Sequence, residues 1–393
     1  MKKTIFFAIF LSVTSTFFGQ NITKEFVTGT WKVTGMLPFD SRGNQDIKEL
    51  IDGFKNSTFL FSENGNFQIS TTKSSKVFKM ITGMTAKSKW KVDSEKNLIK
   101  IGTTKDSYTK MGIQVGSKEG KIVFYLDETA MYLFVEKQLN KQLIPKETDT
   151  SATKNLLTKI RGIDKNLFEA KRYTKNTTIN YRFLQPKTIV TNKKYPLVIV
   201  FHGSGAIGTD NEKQLWTMAK LWAEPTIQSK YPAFVLAPQF PTRSSNYTLD
   251  ASRNVLTSKS EPCLETVFQL IDSLKTTLPI DLKRIYIVGY SMGASTTINA
   301  LSLRPDLFAA AVSFAGIPQF DKMDVLKNKP IWIIHGNKDT DNTIESDLLF
   351  FEELKYNSKI LFWELDGIGH EDIIGASFLG EAIPKWLFSF KLN

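Results

Sequence analysis

The second half of the chain alternates buried-strand patterns with helical patterns. Six apolar runs are nearly continuous in Val, Ile, Leu, Phe and Ala, as strands covered on both faces must be. Amphipathic segments separate the runs, and in one of them, from Leu264 to Leu274, apolar residues recur every three or four positions. This alternation predicts an α/β fold with a doubly wound, mostly parallel sheet. The runs are residues 196–201, 233–237, 284–289, 309–314, 330–334 and 360–365.

The first half follows a different pattern, in which short alternating strands are separated by turns. Asn64-Gly65 lies between two such strands and is a strong hairpin signal. Residues 21–142 are therefore predicted to form a smaller all-β unit, either a barrel or a sandwich. Gly29-x-Trp31, ahead of the first strand, resembles the opening motif of lipocalin-like domains, and an immunoglobulin-like sandwich is the alternative.

The ends of these two units are predicted from composition. Residues 1–20 begin with Met1-Lys2-Lys3, continue with a short apolar run and end near Gly19, which is typical of a secretory signal. We therefore expect an exported, periplasmic or extracellular protein, and no other stretch is apolar enough to span a membrane. Residues 143–165 are polar and are predicted to be a linker with a short helix at 152–160. The catalytic unit is expected at 166–393, with an antiparallel start around 172–183.

Composition excludes several kinds of site. The single cysteine, Cys263, rules out an intrachain disulfide and a cysteine-only metal site. With only three histidines in the chain, an all-protein zinc cluster is not expected, and no cofactor is predicted. The net charge of +12 comes from scattered lysines without a basic helix or an aromatic RNA motif. We interpret it as a solvated basic surface rather than a nucleic-acid interface.

Residues 289–293 read Gly-Tyr-Ser-Met-Gly, which is the G-x-S-x-G pattern. The pattern follows a buried strand and precedes a helical segment, the context that a nucleophile elbow requires. Such a turn leaves no space for a side chain at either glycine, and it exposes the serine hydroxyl beside the start of the helix. Ser291 is therefore the predicted nucleophile.

A serine nucleophile needs a base and an acid, which follow it along the chain in this kind of fold. His370 lies in a glycine-containing loop after the last strand and is the predicted base. Asp339 follows the preceding strand and is the predicted acid, with Asp341 as the alternative. His335 ends a buried strand, so we expect a packed or hydrogen-bonded structural role for it.

An oxyanion hole needs two backbone N–H groups that point at one position. Met292, directly after the predicted nucleophile, is expected to supply one of them. The loop His202-Gly-Ser-Gly205 follows the first buried strand, and we predict Ser204 as the second donor with Gly205 as the alternative. His202 is expected to brace this loop. A phosphate-binding role for the loop is disfavoured because the P-loop lysine is missing.

Taken together, these stretches resemble the α/β-hydrolase fold, and more narrowly the secreted carboxylesterases of the feruloyl-esterase and "predicted peptidase" type. The resemblance covers about residues 170–390, and relatives in this group also include polyester depolymerases and acetylxylan esterases. Tyr247 stands where many relatives carry a tryptophan. The matching segments are 195–205, 209–214, 231–239, 289–293, 335–339 and 369–370.

The resemblance implies a serine esterase that cleaves aryl, acetyl or sugar-linked esters through an acyl-enzyme. Loops at the carboxyl ends of the strands line the pocket in such sheets, so Gly205, Gln239 and Tyr290 are expected to contact the substrate. The expected partner is a small-molecule or polysaccharide-linked ester, and the sequence does not indicate an oligomeric state. A serine peptidase with the same triad, and a small-ligand-binding role for the amino-terminal barrel, remain as alternatives.

Overall fold

A computed structural model of the chain describes residues 21–41, 43–146, 151–375 and 378–392. The predicted secretory signal lies outside these described residues. The chain divides into two compact units, of which the first ends at Leu139 and the second begins at Asn140. No helix among the described residues is both long and apolar enough to span a membrane.

The first unit is one antiparallel sheet of eight strands, ordered β3-β2-β1-β8-β7-β6-β5-β4. Its two edge strands meet where Asn66 bridges Lys89, so the sheet closes nearly into a barrel. The predicted hairpin around Asn64-Gly65 is present, with Phe61 paired to Phe67. The strands are β1 (Gly29–Met36), β2 (Ser57–Phe61), β3 (Phe67–Thr71), β4 (Lys89–Asp93), β5 (Leu98–Gly102), β6 (Met111–Lys118), β7 (Lys121–Leu126) and β8 (Met131–Lys137).

Large side chains fill the interior of this barrel. Trp31, Phe59, Phe61 and Phe124 are fully buried and pack ring against ring. The alternation that predicts the strands also predicts this core, because every second side chain points inward. Three helices that the strand pattern did not predict complete the unit: α1 (Lys24–Val27), α2 (Gln45–Lys55) and α3 (Lys76–Met84).

The second unit has a nine-stranded sheet, ordered β10-β11-β13-β12-β16-β17-β18-β19-β9, and its central strands run parallel. Each of the six predicted apolar runs forms one of these strands. The predicted antiparallel start is present as the pair β10 and β11. Two further strands, β14 (Ser245–Asp250) and β15 (Val255–Ser260), pair only with each other. The nine strands of the sheet are β9 (Lys141–Ile144), β10 (Glu169–Thr174), β11 (Thr178–Leu184), β12 (Tyr195–Phe201), β13 (Phe234–Gln239), β16 (Ile280–Tyr290), β17 (Ala310–Phe314), β18 (Ile331–Gly336) and β19 (Ile360–Leu365).

Helices cover the sheet of the second unit. Every residue of β12, β13, β17 and β18 is buried, as strands covered on both faces must be. The covering helix α8 follows β16 directly and packs on β16 and β17. The helices are α4 (Ser151–Arg161), α5 (Thr217–Leu221), α6 (Pro225–Lys230), α7 (Cys263–Thr277), α8 (Met292–Leu303), α9 (Glu345–Glu353) and α10 (Ala382–Phe388).

The linker predicted at 143–165 is wrong in part. Its first residues lie in β9, which pairs in parallel with β19 at the edge of the second sheet. The predicted helix is present as α4, and Ile160 of this helix is fully buried. The side chains of β9 stay largely exposed, because an edge strand has few covered positions, so the sequence carries no apolar pattern there.

Candidate active site

Ser291 lies in the turn between β16 and α8. Its backbone has φ 55° and ψ −121°, a strained conformation that L-residues rarely adopt. A Cβ atom at position 289 would overlap the carbonyl of Gly293, and one at position 293 would lie 2.6 Å from the carbonyl oxygen of Phe201. Only glycine therefore fits at both positions, which is the constraint that the G-x-S-x-G pattern predicts.

The structure brings Ser291, His370 and Asp339 together from three loops. The Ser291 hydroxyl donates to His370 Nε2 at 2.8 Å, and His370 Nδ1 donates to Asp339 Oδ2 at 2.6 Å. All three residues are buried, with 8%, 9% and 7% of the residue surface exposed. The arrangement can remove a proton from the serine hydroxyl and stabilise the resulting imidazolium.

Asp339 is held as a carboxylate by several donors. Its Oδ1 accepts the backbone N–H groups of Asp341 and Asn342, both at 2.9 Å. Burial by itself raises the pKa of Asp339, but the close approach of His335 and the hydrogen bonds from His370 and Asn342 together hold that pKa well below its ordinary value. Asp341, the alternative acid, is exposed and contributes its backbone N–H to this network.

The loop after β12 lies directly against the serine. A Cβ atom at Gly203 would lie 3.4 Å from Ser291 Cβ. Ser204 and Gly205 open a single 3₁₀ turn (Ser204–Ala206), so their N–H groups have no partner within it. Met292 is the first residue of α8, and its N–H likewise has no partner within the helix. The predicted oxyanion donors thus belong to the loop that packs against the serine and to the residue that follows it in the chain.

His202 anchors this loop, as the sequence predicts. The backbone N–H of Phe240 donates to His202 Nε2 at 2.9 Å, and His202 Nδ1 donates to the carbonyl of Gly203 at 2.8 Å. Because Nε2 accepts a hydrogen bond, the imidazole is neutral, and burial lowers the pKa of His202 to about 4. His202 therefore connects the loops after β12 and β13 and is not available as a second base.

The serine opens into a cavity of about 750 Å³. Two of the predicted substrate contacts, Gly205 and Tyr290, line it. The Tyr290 hydroxyl donates to the carbonyl of His370 at 3.3 Å, and burial raises the pKa of this phenol. The cavity wall carries cationic side chains, Lys213 and Arg243, and acidic ones, Asp341 and Glu371.

The third predicted contact, Gln239, does not line the cavity, and this prediction is corrected. Its side chain is fully buried behind the loop. Gln239 accepts the backbone N–H of Asn211 at 2.6 Å and donates to the carbonyl of Ala206 at 3.1 Å and to Asp210 at 3.0 Å. The residue braces the loop that carries Ser204, because its amide group satisfies buried polar groups there.

The sequence interpretation missed a hairpin that contributes to the cavity wall. Strands β14 and β15 pair with each other between β13 and α7, in a segment that reads as a polar loop. Asn246 and Tyr247 of β14 line the cavity, and the Tyr247 hydroxyl accepts from Ser295 at 3.1 Å. Arg243, just before the hairpin, lies 5.2 Å from the centre of the Tyr247 ring. The alternation in residues 245–250 is the one signal that could have revealed this strand.

Comparisons with known proteins identify relatives of the second unit. Residues 185–370 match the dienelactone hydrolase family. A thermostable esterase of known structure is 27% identical, with a TM-score of 0.52, and the match covers 72% of each chain. The second unit therefore has an α/β-hydrolase fold, as the sequence predicts.

Two curated relatives are more distant. A bifunctional acetylxylan esterase/xylanase of Neocallimastix patriciarum is 25% identical over 154 residues, which are 39% of this chain and 20% of that protein. A poly(3-hydroxyalkanoate) depolymerase C of Paucimonas lemoignei is 26% identical over 124 residues, 31% of this chain and 28% of that protein. The chain thus spans between a fifth and a third of the length of these relatives.

Proposed function

We propose that the dienelactone hydrolase family domain at residues 185–370 makes this chain a serine carboxylesterase. Ser291 is the nucleophile, His370 the general base and acid, and Asp339 the residue that orients His370. The observation that carries the proposal is the continuous hydrogen-bond chain from the Ser291 hydroxyl through His370 to Asp339, with heavy-atom distances of 2.8 Å and 2.6 Å. The strained serine turn supports the same assignment.

The reaction follows from these contacts in two acyl transfers. Ser291 Oγ attacks the ester carbonyl carbon while its proton passes to His370 Nε2, and the carbonyl oxygen becomes an oxyanion. The N–H groups of Met292 and Ser204 hold the oxyanion, with Gly205 as the alternative to Ser204. The bond to the alcohol oxygen then breaks, and His370 gives its proton to the departing alkoxide. Water repeats the sequence on the acyl-serine and releases the acid.

The proposed substrates are aryl, acetyl or sugar-linked esters. Two relatives, the acetylxylan esterase/xylanase and the poly(3-hydroxyalkanoate) depolymerase, support ester cleavage on large or polymeric substrates. The cavity of about 750 Å³ has polar and aromatic walls, including Asn246, Trp216 and Tyr247, which suits an aromatic or sugar group better than a long alkyl chain.

Hydrolysis of a small ester panel tests the proposal. Wild type and Ser291→Ala are compared on p-nitrophenyl acetate, butyrate and octanoate and on methyl ferulate. We expect turnover by wild type that is lost in Ser291→Ala, and the order of the esters then gives the acyl preference. Cleavage of dipeptide amides with no turnover of any ester would instead support the alternative, a serine peptidase with the same three residues.

The first unit, predicted at residues 21–142 and ending at Leu139 in the structure, enters the proposal as a lipocalin-like domain. Its nearly closed eight-stranded sheet supports this assignment. Ligand binding inside it is the less favoured role, because Trp31, Phe59 and Phe124 occupy the interior. Export, proposed from the basic and apolar pattern of residues 1–20, is tested by the amino-terminal sequence of protein recovered outside the cytoplasm.

A further inference from the structure

A second buried histidine and a second buried carboxylate lie beyond Asp339. His335, at the end of β18, is fully buried, and Asp347, on α9, is 1% exposed. His335 Nε2 lies 3.3 Å from Asp339 Oδ2 and donates to the carbonyl of Asn342 at 2.7 Å. His335 Nδ1 lies 2.7 Å from Asp347 Oδ2. Asp339 is therefore held between two imidazoles, those of His370 and His335.

The positions of the protons follow from the partners. A carbonyl oxygen and a carboxylate only accept, so His335 Nε2 must carry a hydrogen. Its other ring nitrogen faces the carboxylate of Asp347, and a contact of 2.7 Å requires one proton between them. His335 and Asp347 thus share one proton, which either makes the imidazole cationic or leaves both groups neutral.

The carboxylate of Asp339, which lies next to His335, favours the proton on the imidazole. Burial lowers the pKa of His335, but the carboxylates of Asp339 and Asp347 outweigh it and raise that pKa to about 9. Burial and the charge of Asp339 raise the pKa of Asp347 above its ordinary value, and His335 offsets only part of that rise. The negative charge of Asp339, 3.3 Å from His335 Nε2, favours the cation over the neutral pair.

We propose that His335, held as a cation by Asp347, is a positioning residue that fixes the Asp339 carboxylate and draws part of its charge away from His370. The proposal rests on the proposed function, in which His370 must lose its proton to act as a base. A cation on the far side of Asp339 weakens the attraction of that carboxylate for protonated His370. His335 therefore lowers the pH above which the enzyme is active.

The other charged groups around His335 do not replace it. Asp341, in the same loop as Asp339, is exposed. Glu364 lies opposite His335 in the register of β18 and β19, and its carboxylate pairs with Lys141 at 2.7 Å. His370, in the loop after β19, is separated from His335 by Asp339. The contacts of His335 thus leave Asp347, besides Asp339 itself, as the carboxylate that stabilises its positive charge.

The pH profile of kcat/KM tests the proposal in Asp347→Asn, His335→Gln and the double variant. Asp347→Asn leaves His335 neutral, and His335→Gln removes the imidazole. The asparagine and glutamine amides can donate hydrogen bonds at the positions of the replaced carboxylate and imidazole. We expect the acid-side midpoint to rise by about half to one pH unit, so that activity at pH 5.5 falls about 3- to 10-fold. Activity above pH 8 should stay within about two-fold of wild type, because that range lies above the acid-side limb of the profile.

The double variant should show the same shift as either single variant, because both changes remove one cation. Asp324→Asn, which removes an exposed carboxylate that pairs with Lys327, is the control and should leave the midpoint unchanged. A uniform loss of activity at all pH values with an unchanged midpoint would overturn the proposal, since it would mean a purely structural role.

A second measurement works on the wild-type protein without any substrate. The chain has three histidines, so ¹⁵N-labelled histidine gives few ring signals to assign. We expect both ring nitrogens of His335 to stay protonated from pH 6 to about 9. An unprotonated Nδ1 at pH 7 would overturn the proposal even if the variants do not fold. A wild type that cleaves no ester but shows this signature would refute the proposed function alone.

Discussion

The backbone N–H of Phe240 donates to Nε2 of His202 at 2.9 Å, which ties the loop after β13 to the loop after β12. The bond leaves the proton of the imidazole on Nδ1, where it reaches the carbonyl of Gly203. Gly203 in turn lies against Ser291, so the position of the proposed oxyanion donors depends on a histidine that does not touch the reacting atoms.

Replacement of His202 by glutamine should cost both stability and turnover. A glutamine cannot satisfy the Phe240 N–H and the Gly203 carbonyl in the same positions, and a buried group without a partner costs about 1–3 kcal/mol. We expect the free energy of unfolding to fall by that amount in a denaturant titration. The kcat for p-nitrophenyl acetate should fall more than KM changes, because the loop positions the transition state. Wild-type kcat in this variant would contradict the bracing role.

The pH dependence of the free energy of unfolding should show the effect of His202. His202 has a pKa of about 4 when folded, against about 6.5 in an unfolded chain. The contribution of neutral His202 to the free energy of unfolding is therefore fully present above about pH 6.5. It is lost as the pH falls toward 4, by an amount on the order of 3 kcal/mol. Urea titrations of wild type and His202→Gln between pH 7 and 4 measure this. The stability difference between the two proteins should shrink over that interval.

Replacement by alanine should lower the stability of the protein at one of two glycines in neighbouring loops and leave it unchanged at the other. A Cβ atom at Gly293 would lie 2.6 Å from the carbonyl oxygen of Phe201, whereas one at Gly205 meets nothing within 4 Å. We expect Gly293→Ala to destabilise the protein by about 2–4 kcal/mol through forced backbone movement. Gly205→Ala is the matched control and should stay within about 0.5 kcal/mol of wild type in thermal unfolding. Equal stability of the two variants would argue against the tight turn.

The two candidate acids can be separated by isosteric replacement. Asp339→Asn should lower kcat by about 10⁴-fold, since the amide stabilises the wrong tautomer of His370 and no longer balances its positive charge. Asp341→Asn keeps the backbone N–H that Asp339 accepts and should lose less than about ten-fold in kcat. Steady-state kinetics on one aryl ester decides between them. A larger loss in Asp341→Asn would reassign the acid.

Arg243 should favour esters that carry a negative group. Its Nε donates to the carbonyl of Ser245 at 3.1 Å and its guanidinium lies over Tyr247, so it is fixed at the cavity wall. We expect Arg243→Gln to raise KM for 4-acetoxybenzoate about 5- to 20-fold, which is the loss of one charge-assisted hydrogen bond. KM for the uncharged methyl ester of the same compound is the internal control. Arg243→Lys should recover only part of the effect.

The parallel sheet and the proposed catalytic serine were predictable because their signals are local. A strand buried on both faces requires a continuous apolar run, and a nucleophile elbow requires glycine at positions 289 and 293. The strand β9 and the hairpin of β14 and β15 were not predictable in this way. Their side chains are partly exposed, so neither leaves a clear apolar pattern in the sequence.

By itself the sequence determined the fold class, the serine turn and the order of the candidate residues, because each depends on neighbours along the chain. Tertiary structure alone decided which carboxylate meets His370, because Asp339 and Asp341 are two residues apart in one loop. It also decided that Gln239 braces a loop instead of lining the cavity. The same holds for His335, whose charge depends on two carboxylates that only folding brings to its ring nitrogens.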